Sequence, residues 1–382
     1  MKKSQLNRKI IPIARPLIGR EEMDEVKKVM ESGVLSIGPK IEEFEKLFAE
    51  LIGCKYAVAV SSGTSALHLC VKSAGIKIGD EVVTSPFSFI ASANCILYER
   101  GKPVFSDIDE NTYNLDPNKI KKAITHRTKA LLPVHIFGHP CDMDPITEIA
   151  EKYDLDIIED ACESIYSEYK GKKAGTFGLA SAFAFYPNKQ IVTGEGGMIT
   201  TDNEEVAELC RKLRNHGRNE NDKFMEHNMI GYNYRLNEIS CAMGIVQLKK
   251  IKYIIERREQ IAQKYNKELE GRDYIIKPYV SPDVRHSWFV YVVKLKDGID
   301  RDKVIQIMDQ RGIITRPYLP SIHLQPIYRK LFKYEGGTFP AAEKASKSTL
   351  AIPFYIGISD EDIRLVCEEL QKAAKKSKTK GR

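Results

Sequence analysis

The sequence predicts an α/β fold: a large domain on a mostly parallel sheet sandwiched by helices, followed by a smaller α+β domain at the C-terminal end. Three observations lead there. Over roughly the first 250 of the 382 residues, short apolar runs alternate with helical patterns of about ten to fifteen residues, the order of βαβ units. A long helical pattern then follows, and beyond it the alternation stops. With 42% hydrophobic and 29% charged residues the chain has the composition of a core-forming protein.

The elements follow in order. In IEEFEKLFAEL, Ile41, Phe44, Leu47, Phe48 and Leu51 fall on one helical stripe. Next come a strand at 56–60 (YAVAV), a helix from about Thr64, a strand at 81–85 and a helix over 88–99. Strand 103–107, helix 117–124, strand 129–134, helix 145–153 and strand 156–160 (DIIED) continue the alternation. Strands 181–185 and 197–201 and a helix over 203–214 complete the large unit. One helical pattern spans 235–268, and the second unit holds a strand at 288–295, a helix at 301–311, the Pro-punctuated stretch RPYLPSIHLQP and a last helix at 360–376. The expected organisation is an N-terminal arm (1–20), a large domain (21–250), a small C-terminal domain (251–371) and a basic disordered tail (372–382).

The net charge is +7, yet six positive charges sit in the last eleven residues and four in the first nine, leaving a slightly acidic body. A nucleic-acid binder presents its basic residues on a face of the fold, so no nucleic-acid partner is expected. No run of about 18 apolar residues occurs, so no membrane span is expected. Pro12 and Pro16 interrupt the apolar stretch of the basic N-terminus before it could act as a signal segment, and a cytoplasmic location is expected. Eight scattered cysteines include no CxxC pair and no zinc spacing; they read as free thiols in a reducing compartment, with no metal site.

In doubly wound sheets, ligands lie beyond the carboxyl ends of the strands. Three loops there are informative. After strand 56–60, Ser61, Ser62, Gly63, Thr64 and Ser65 lead into a helix N-terminus, which suits a phosphate and equally suits a plain Ser/Thr cap. The turn is neither GxGxxG nor GxxxxGK[ST], so a dinucleotide fold and a P-loop are not supported. DIIED ends in Glu159 and Asp160, with Glu163 three residues on; such a carboxylate can hold a metal, a ribose or a protonated ring nitrogen, or cap the next helix. In SAFAFYPNKQIVTGEGGM a buried strand runs into Tyr186, Pro187, Asn188 and Lys189 and then a glycine-rich turn, giving the lysine access to a partly desolvated pocket where an amine is a nucleophile, or leaving it a solvated loop residue. Taken together, the three parts are what pyridoxal 5′-phosphate needs: an anchor for the phosphate, an acid for the pyridine nitrogen and an amine for the aldehyde. Phe89, just after strand 81–85, is placed to lie on a flat ring.

As a set, SSGTSALHL, SPFSFIASAN, IEDACES, FYPNKQIVTGEGGM, RNHGR, GYNYRLNEI and HLQPIY resemble the DegT-type (DegT/StrS) sugar-nucleotide aminotransferases, pyridoxal-phosphate enzymes of fold type I, the aspartate-aminotransferase fold. The resemblance runs from IPIARP to about residue 370. It implies that Lys189 is the Schiff-base lysine, that Asp160 partners the pyridinium nitrogen, and that Glu163 lies near the phenolic oxygen. It further implies that Ser62, Gly63 and Thr64 form the phosphate turn and that Phe89 stacks on the ring. Asn233, in GYNYR, matches an asparagine given to the phosphate of the neighbouring subunit, implying a homodimer with shared active sites. One departure stands out: the family's serine five positions before the lysine is Ala184 here.

The implied reaction transfers an amino group from L-glutamate to a nucleotide-linked keto sugar, at C4 of a 4-keto-6-deoxy sugar by the similarity of GYNYRLNE. Tyr186, Arg235, Arg316, Tyr318 and His323 are the residue types suited to the sugar's hydroxyls and phosphates. Two alternatives remain open from the residues: a non-catalytic ligand-binding or regulatory protein on this scaffold, and a dehydratase using the same cofactor. In that dehydratase class the lysine is commonly replaced by histidine, which Lys189 argues against.

Overall fold

The computed structural model describes residues 10–218 and 226–379. The first nine residues of the expected 1–20 arm and the last three residues of the tail lie outside them. A first pair of helices, α1 (Arg20–Ser32) and α2 (Pro39–Ile52), precedes strand β1 (Tyr56–Val60) and helix α3 (Gly63–Ser73). Then come β2 (Glu81–Thr84), α4 (Ala91–Tyr98), β3 (Lys102–Phe105), α5 (Pro117–Ala123), β4 (Thr128–Leu132), α6 (Met143–Tyr153) and β5 (Asp156–Asp160). Two short strands, β6 (Glu168–Tyr169) and β7 (Lys172–Lys173), lead to β8 (Ala180–Ala184), β9 (Gly197–Thr201) and α7 (Glu204–Arg214).

β1, β9, β8, β5, β4, β2 and β3 lie side by side in one sheet. β9 runs antiparallel to both of its neighbours, and the other pairings of this sheet are parallel. Helices cover both faces, as a parallel sheet requires. α2 shows how sequence sets local structure. Pro39 opens the helix at a position that needs no N–H, Gly53 closes it in the left-handed region, and Ile41, Phe44, Phe48 and Ile52 face the core. The Glu238 carboxylate accepts from the amides of Lys40 and Ile41 at 2.7 and 3.0 Å, capping that helix from a distant part of the chain.

The helical pattern expected over 235–268 is two helices, α8 (Glu238–Lys249) and α9 (Ile251–Glu268), separated at Lys250. Lys250 departs from helical ψ (φ −94°, ψ −3°), and its ammonium pairs with the buried Glu22 carboxylate of α1. Gly244 lets α8 press onto α2, since a Cβ there would stand 2.6 Å from the Phe44 ring. Strands β10 (Ile275–Ile276) and β11 (Val284–Arg285) precede β12 (Tyr291–Leu295), helices α10 (Arg301–Gln310), α11 (Pro326–Phe332) and α12 (Pro340–Ser348), strand β13 (Thr349–Ile352) and helix α13 (Asp360–Lys376). β10, β12 and β13 form a separate three-stranded sheet, while β11 joins β6 and β7.

Three further boundaries differ from expectation. The helix expected over 88–99 begins only at Ala91, because residues 86–90 form a loop, and the Ser88 hydroxyl of that loop pairs with the Ser92 hydroxyl in the first turn of the helix. The strand expected from 288 begins at Tyr291, because Trp288 adopts a positive φ of 51°. The tail expected to be disordered from 372 is ordered through 379. α13 runs to Lys376 with Leu370, Ala373 and Ala374 buried, and the amide of Thr379 donates to the Gly298 carbonyl at 2.8 Å. Among the described residues no helix is long and apolar enough to cross a membrane.

Candidate active site

β5, β8, β1 and β2 deliver their following loops to one cavity of about 590 Å³. This is the crevice that a parallel sheet leaves beyond its carboxyl ends. Ser62, Gly63, Thr64, Phe89, Asp160, Glu163, Ala184, Tyr186, Lys189 and Tyr318, all singled out in the sequence, line it.

At the first wall, Ser62 caps α3, its hydroxyl accepting from the Ser65 amide at 3.1 Å. The amides of Gly63 and Thr64 open the helix and have no partner within it, so they point a partial positive charge outward. A Cβ on Gly63 would stand 2.6 Å from the Ala184 Cβ and 3.0 Å from the Cys162 sulfur. Only glycine lets this helix start so close to the end of β8.

At the floor, Asp160 is 5% exposed. Its Oδ2 accepts from the Ser92 hydroxyl at 2.6 Å and its Oδ1 from the Cys162 amide at 3.2 Å. Ser92 and Ser88 hydroxyls stand 2.7 Å apart, so with Ser92 donating to the acid, Ser88 donates to Ser92 and the chain of hydroxyls is polarised toward the carboxylate. Each carboxylate oxygen keeps acceptor capacity for a donor in the cavity. The Cys162 thiol is pushed well above its ordinary value of 9.0 by burial and then by Asp160, so it stays protonated and is no competing nucleophile.

Lys189 follows a tight turn in which its amide donates to the Tyr186 carbonyl at 2.8 Å. Its side chain is 12% exposed, with Nζ 3.6 Å from Glu163 Oε1 and 4.0 Å from the centroid of the Phe289 ring. The other Glu163 oxygen accepts from the Phe137 amide at 2.8 Å. Burial pushes the Glu163 carboxyl above its ordinary value, and Lys189 only partly opposes this. Burial raises the Tyr318 phenol to about 12, so it faces the cavity as a hydroxyl. Phe89 is 62% exposed, at the mouth.

Three expected substrate contacts do not reach this cavity within the chain. Arg235 lines a separate groove of about 820 Å³ together with Arg211 and Arg218, and donates to the Asn215 side chain at 3.0 Å. Arg316 is exposed and donates to the Thr315 carbonyl at 2.9 Å. His323 is buried in the packing around Phe105 and Phe339, with Nε2 3.2 Å from Glu343, and burial lowers its pKa despite that carboxylate. Asn233 is exposed and bridges Asn215 through the backbone, away from the cavity of its own chain. Sequence reasoning assigned no role to Ser88, Ser92, Asn188, Glu195 or Phe289, all of which line the cavity. For the two serines a signal was present in the i, i+4 spacing of SPFSFIASAN; for Phe289 there was none.

The cradle fits pyridoxal phosphate. Helix amides, an acid with free acceptor capacity and a nearly buried amine face one space, and Gly63 keeps that space open.

Residues 16–371 match the sequence profile described as the DegT/DnrJ/EryC1/StrS aminotransferase family. The spore coat polysaccharide biosynthesis protein SpsC of Bacillus subtilis is 42% identical over 378 residues, which cover 96% of this chain and 97% of SpsC. GDP-perosamine synthase of Caulobacter vibrioides is 39% identical over 364 residues, covering 94% of this chain and 97% of the synthase. Among solved structures, S. venezuelae DesV in complex with a ketimine intermediate superposes with a TM-score of 0.89 at 32% identity, covering 96% of this chain and 98% of DesV.

Proposed function

The chain belongs to the DegT/DnrJ/EryC1/StrS aminotransferase family, and from that premise we propose that it moves an amino group from L-glutamate to C4 of a nucleotide-linked 4-keto-6-deoxy sugar. Pyridoxal phosphate is the cofactor. When bound, it supplies an aldehyde for an amine and a ring that takes up the electron pair left when a substrate C–H bond breaks.

The chain's residues do the rest. The Gly63 and Thr64 amides would hold the phosphate, Asp160 would accept the ring N–H, and Phe89, at the mouth, would cover the ring. Lys189 Nζ would be the amine that holds the aldehyde. The same amine, when free, would take a proton from the α-carbon of the donor and, in the second half-reaction, would deliver one to the sugar carbon that receives the amine. Glu163 and Phe289 flank that amine and keep it directed into the cavity. Tyr186 and Tyr318 offer hydroxyls to the sugar. Asn233 serves the phosphate of the neighbouring subunit in a homodimer, consistent with its exposure on its own chain.

One juxtaposition carries this reading: the Lys189 amine, the Asp160 carboxylate and the α3 N-terminus share a single cavity. The relatives favour a nucleotide-linked acceptor, since one is named for a GDP-linked product. The test is spectroscopic. The loaded protein should absorb in the visible, bleach with L-glutamate, and regain its colour when a 4-keto nucleotide sugar is added. Lys189→Ala should show neither the band nor turnover. A band indifferent to amino acids would overturn transamination in favour of ligand binding without catalysis.

A further inference from the structure

Arg258, on α9, is 5% exposed and has no carboxylate within 4.0 Å among the described residues. Burial lowers its pKa to about 10, so it still carries its charge at neutral pH. A buried cation without an ion-pair partner is unfavourable unless other groups solvate it. Here the solvating groups are carbonyls. Nη1 donates to the Trp288 carbonyl at 2.9 Å and to the Phe289 carbonyl at 3.2 Å, and Nη2 donates to the Lys189 carbonyl at 3.4 Å. The Phe354 ring lies 5.6 Å away, and Nε has no partner.

The carbonyls belong to two segments distant in sequence, and those segments carry the two side chains that meet in the cavity: the Lys189 amine and the Phe289 ring. We propose that Arg258 is a positioning residue whose guanidinium fastens the Lys189 loop to the Trp288–Phe289 segment and thereby seats the Phe289 ring against the Lys189 amine. The inference rests on the reading of Lys189 given above.

A second set of bonds closes the same circuit. Gln190, next to the lysine, donates to the Ser287 hydroxyl at 2.9 Å and to the Glu163 carbonyl at 2.6 Å. The Phe289 amide donates to the Phe137 carbonyl at 3.0 Å, and the Phe137 amide donates to Glu163. The amine is therefore in contact with both Glu163 and the Phe289 ring. Arg258 spans the ring-bearing side of that circuit. A planar fork can bridge carbonyls on two segments at once, whereas a single ammonium on a flexible stem cannot hold both in fixed geometry.

The test separates seating of the amine from binding of the cofactor. The full-length apoprotein is mixed with pyridoxal phosphate, and the rate at which the Lys189 amine condenses with the aldehyde, releasing water, is followed by absorbance. The site of attachment is verified by borohydride reduction and mass spectrometry. Affinity for pyridoxine 5′-phosphate, which has no aldehyde, is measured in parallel. Arg258→Met and Arg258→Lys should bind that analogue within about threefold of the unsubstituted protein and condense about ten- to a hundredfold more slowly. Phe289→Leu, which keeps apolar volume without touching the guanidinium, should slow condensation in the same direction. The Met and Leu changes together should be no slower than the worse of the two alone, because they act through one contact. Condensation at the unsubstituted rate in the arginine variants, full rescue by lysine, or an equal loss of analogue binding would overturn the proposal. Should Arg258→Met fail to fold, the Arg258→Lys and Phe289→Leu results decide it. If the unsubstituted protein attaches the cofactor elsewhere than Lys189, the reading of the site falls first.

Discussion

Replacing Ser92 by alanine removes a hydrogen bond whose energy can be estimated from its surroundings. Its hydroxyl donates to Asp160 Oδ2 at 2.6 Å, both groups are buried, and the acceptor is a carboxylate. Hydrogen bonds to charged groups contribute about 1.5–3 kcal/mol, against about 0.5–1.5 for neutral pairs. Ser92→Ala also takes from Ser88 the acceptor 2.7 Å away. A loss of about 2 kcal/mol is expected, on the order of a thirtyfold change in the equilibrium that includes this contact. The assay is a double-mutant cycle on the apoprotein, read as urea midpoints for the unsubstituted chain, Ser92→Ala, Asp160→Asn and the double variant. With asparagine at 160 the same hydroxyl meets a neutral amide, so the alanine change should cost about 1 kcal/mol less there. Equal costs in the two backgrounds would show that the contact carries no charge-assisted energy, and that Ser92 does not hold the acid.

Two further outcomes follow from the same site. Ala184→Ser adds a hydroxyl beside Gly63, where the phosphate is assigned, and should tighten cofactor binding by about 0.5–1.5 kcal/mol if the new bond is neutral and up to about 3 if it is charge-assisted. An unchanged dissociation constant would remove position 184 from the phosphate site. Glu163 has a folded pKa above its ordinary 4.5, so its protonated form favours folding and that contribution is lost as pH rises from about 4.5 through the folded value. Glu163→Gln, which keeps an acceptor for the Phe137 amide, should therefore raise the melting temperature at pH 7–8 and leave it nearly unchanged near pH 4; a gain independent of pH would contradict this linkage.

The large unit was legible because its strands are buried on both faces and read as apolar runs between amphipathic helices. DIIED was expected at 156–160, and that is where β5 lies. α1 escaped notice because so little of it is apolar on its inner side: Glu22 and Val29 are its buried residues. The tail misled because its charge count hides a period. Leu370, Ala373 and Ala374 continue the buried stripe of α13 while the lysines face outward. His323 misled because residue type was weighed without burial, and an imidazole against a glutamate serves packing as well as recognition. Phe289 and Arg258 were illegible for a different reason. Their roles depend on contacts with Lys189 across 100 and 69 positions of chain, and no local pattern encodes such a meeting.

The neighbouring acids at the end of β5 show what separates a structural carboxylate from a functional one. Successive strand residues face opposite sides of the sheet, so Glu159 and Asp160, alike in sequence, enter different environments. Glu159 is fully buried and receives the His135 imidazole at 3.0 Å, the amides of Gly175, Phe177 and Gly178 at 2.8, 2.7 and 3.1 Å, and the Ser181 hydroxyl at 2.9 Å. His135 Nδ1 accepts from the Cys141 amide at 3.0 Å, which leaves the ring proton on Nε2 to donate to Glu159. Five donors use up the acceptor sites of one carboxylate, so Glu159 ties strands and loops together and has nothing left for a ligand. Asp160 receives two donors and faces a cavity. Both Asp160 oxygens are already satisfied as buried acceptors, and the carboxylate still has lone-pair capacity open to the cavity. A protonated ring nitrogen would find an acceptor there; at Glu159 the same ligand would have to break a bond already made.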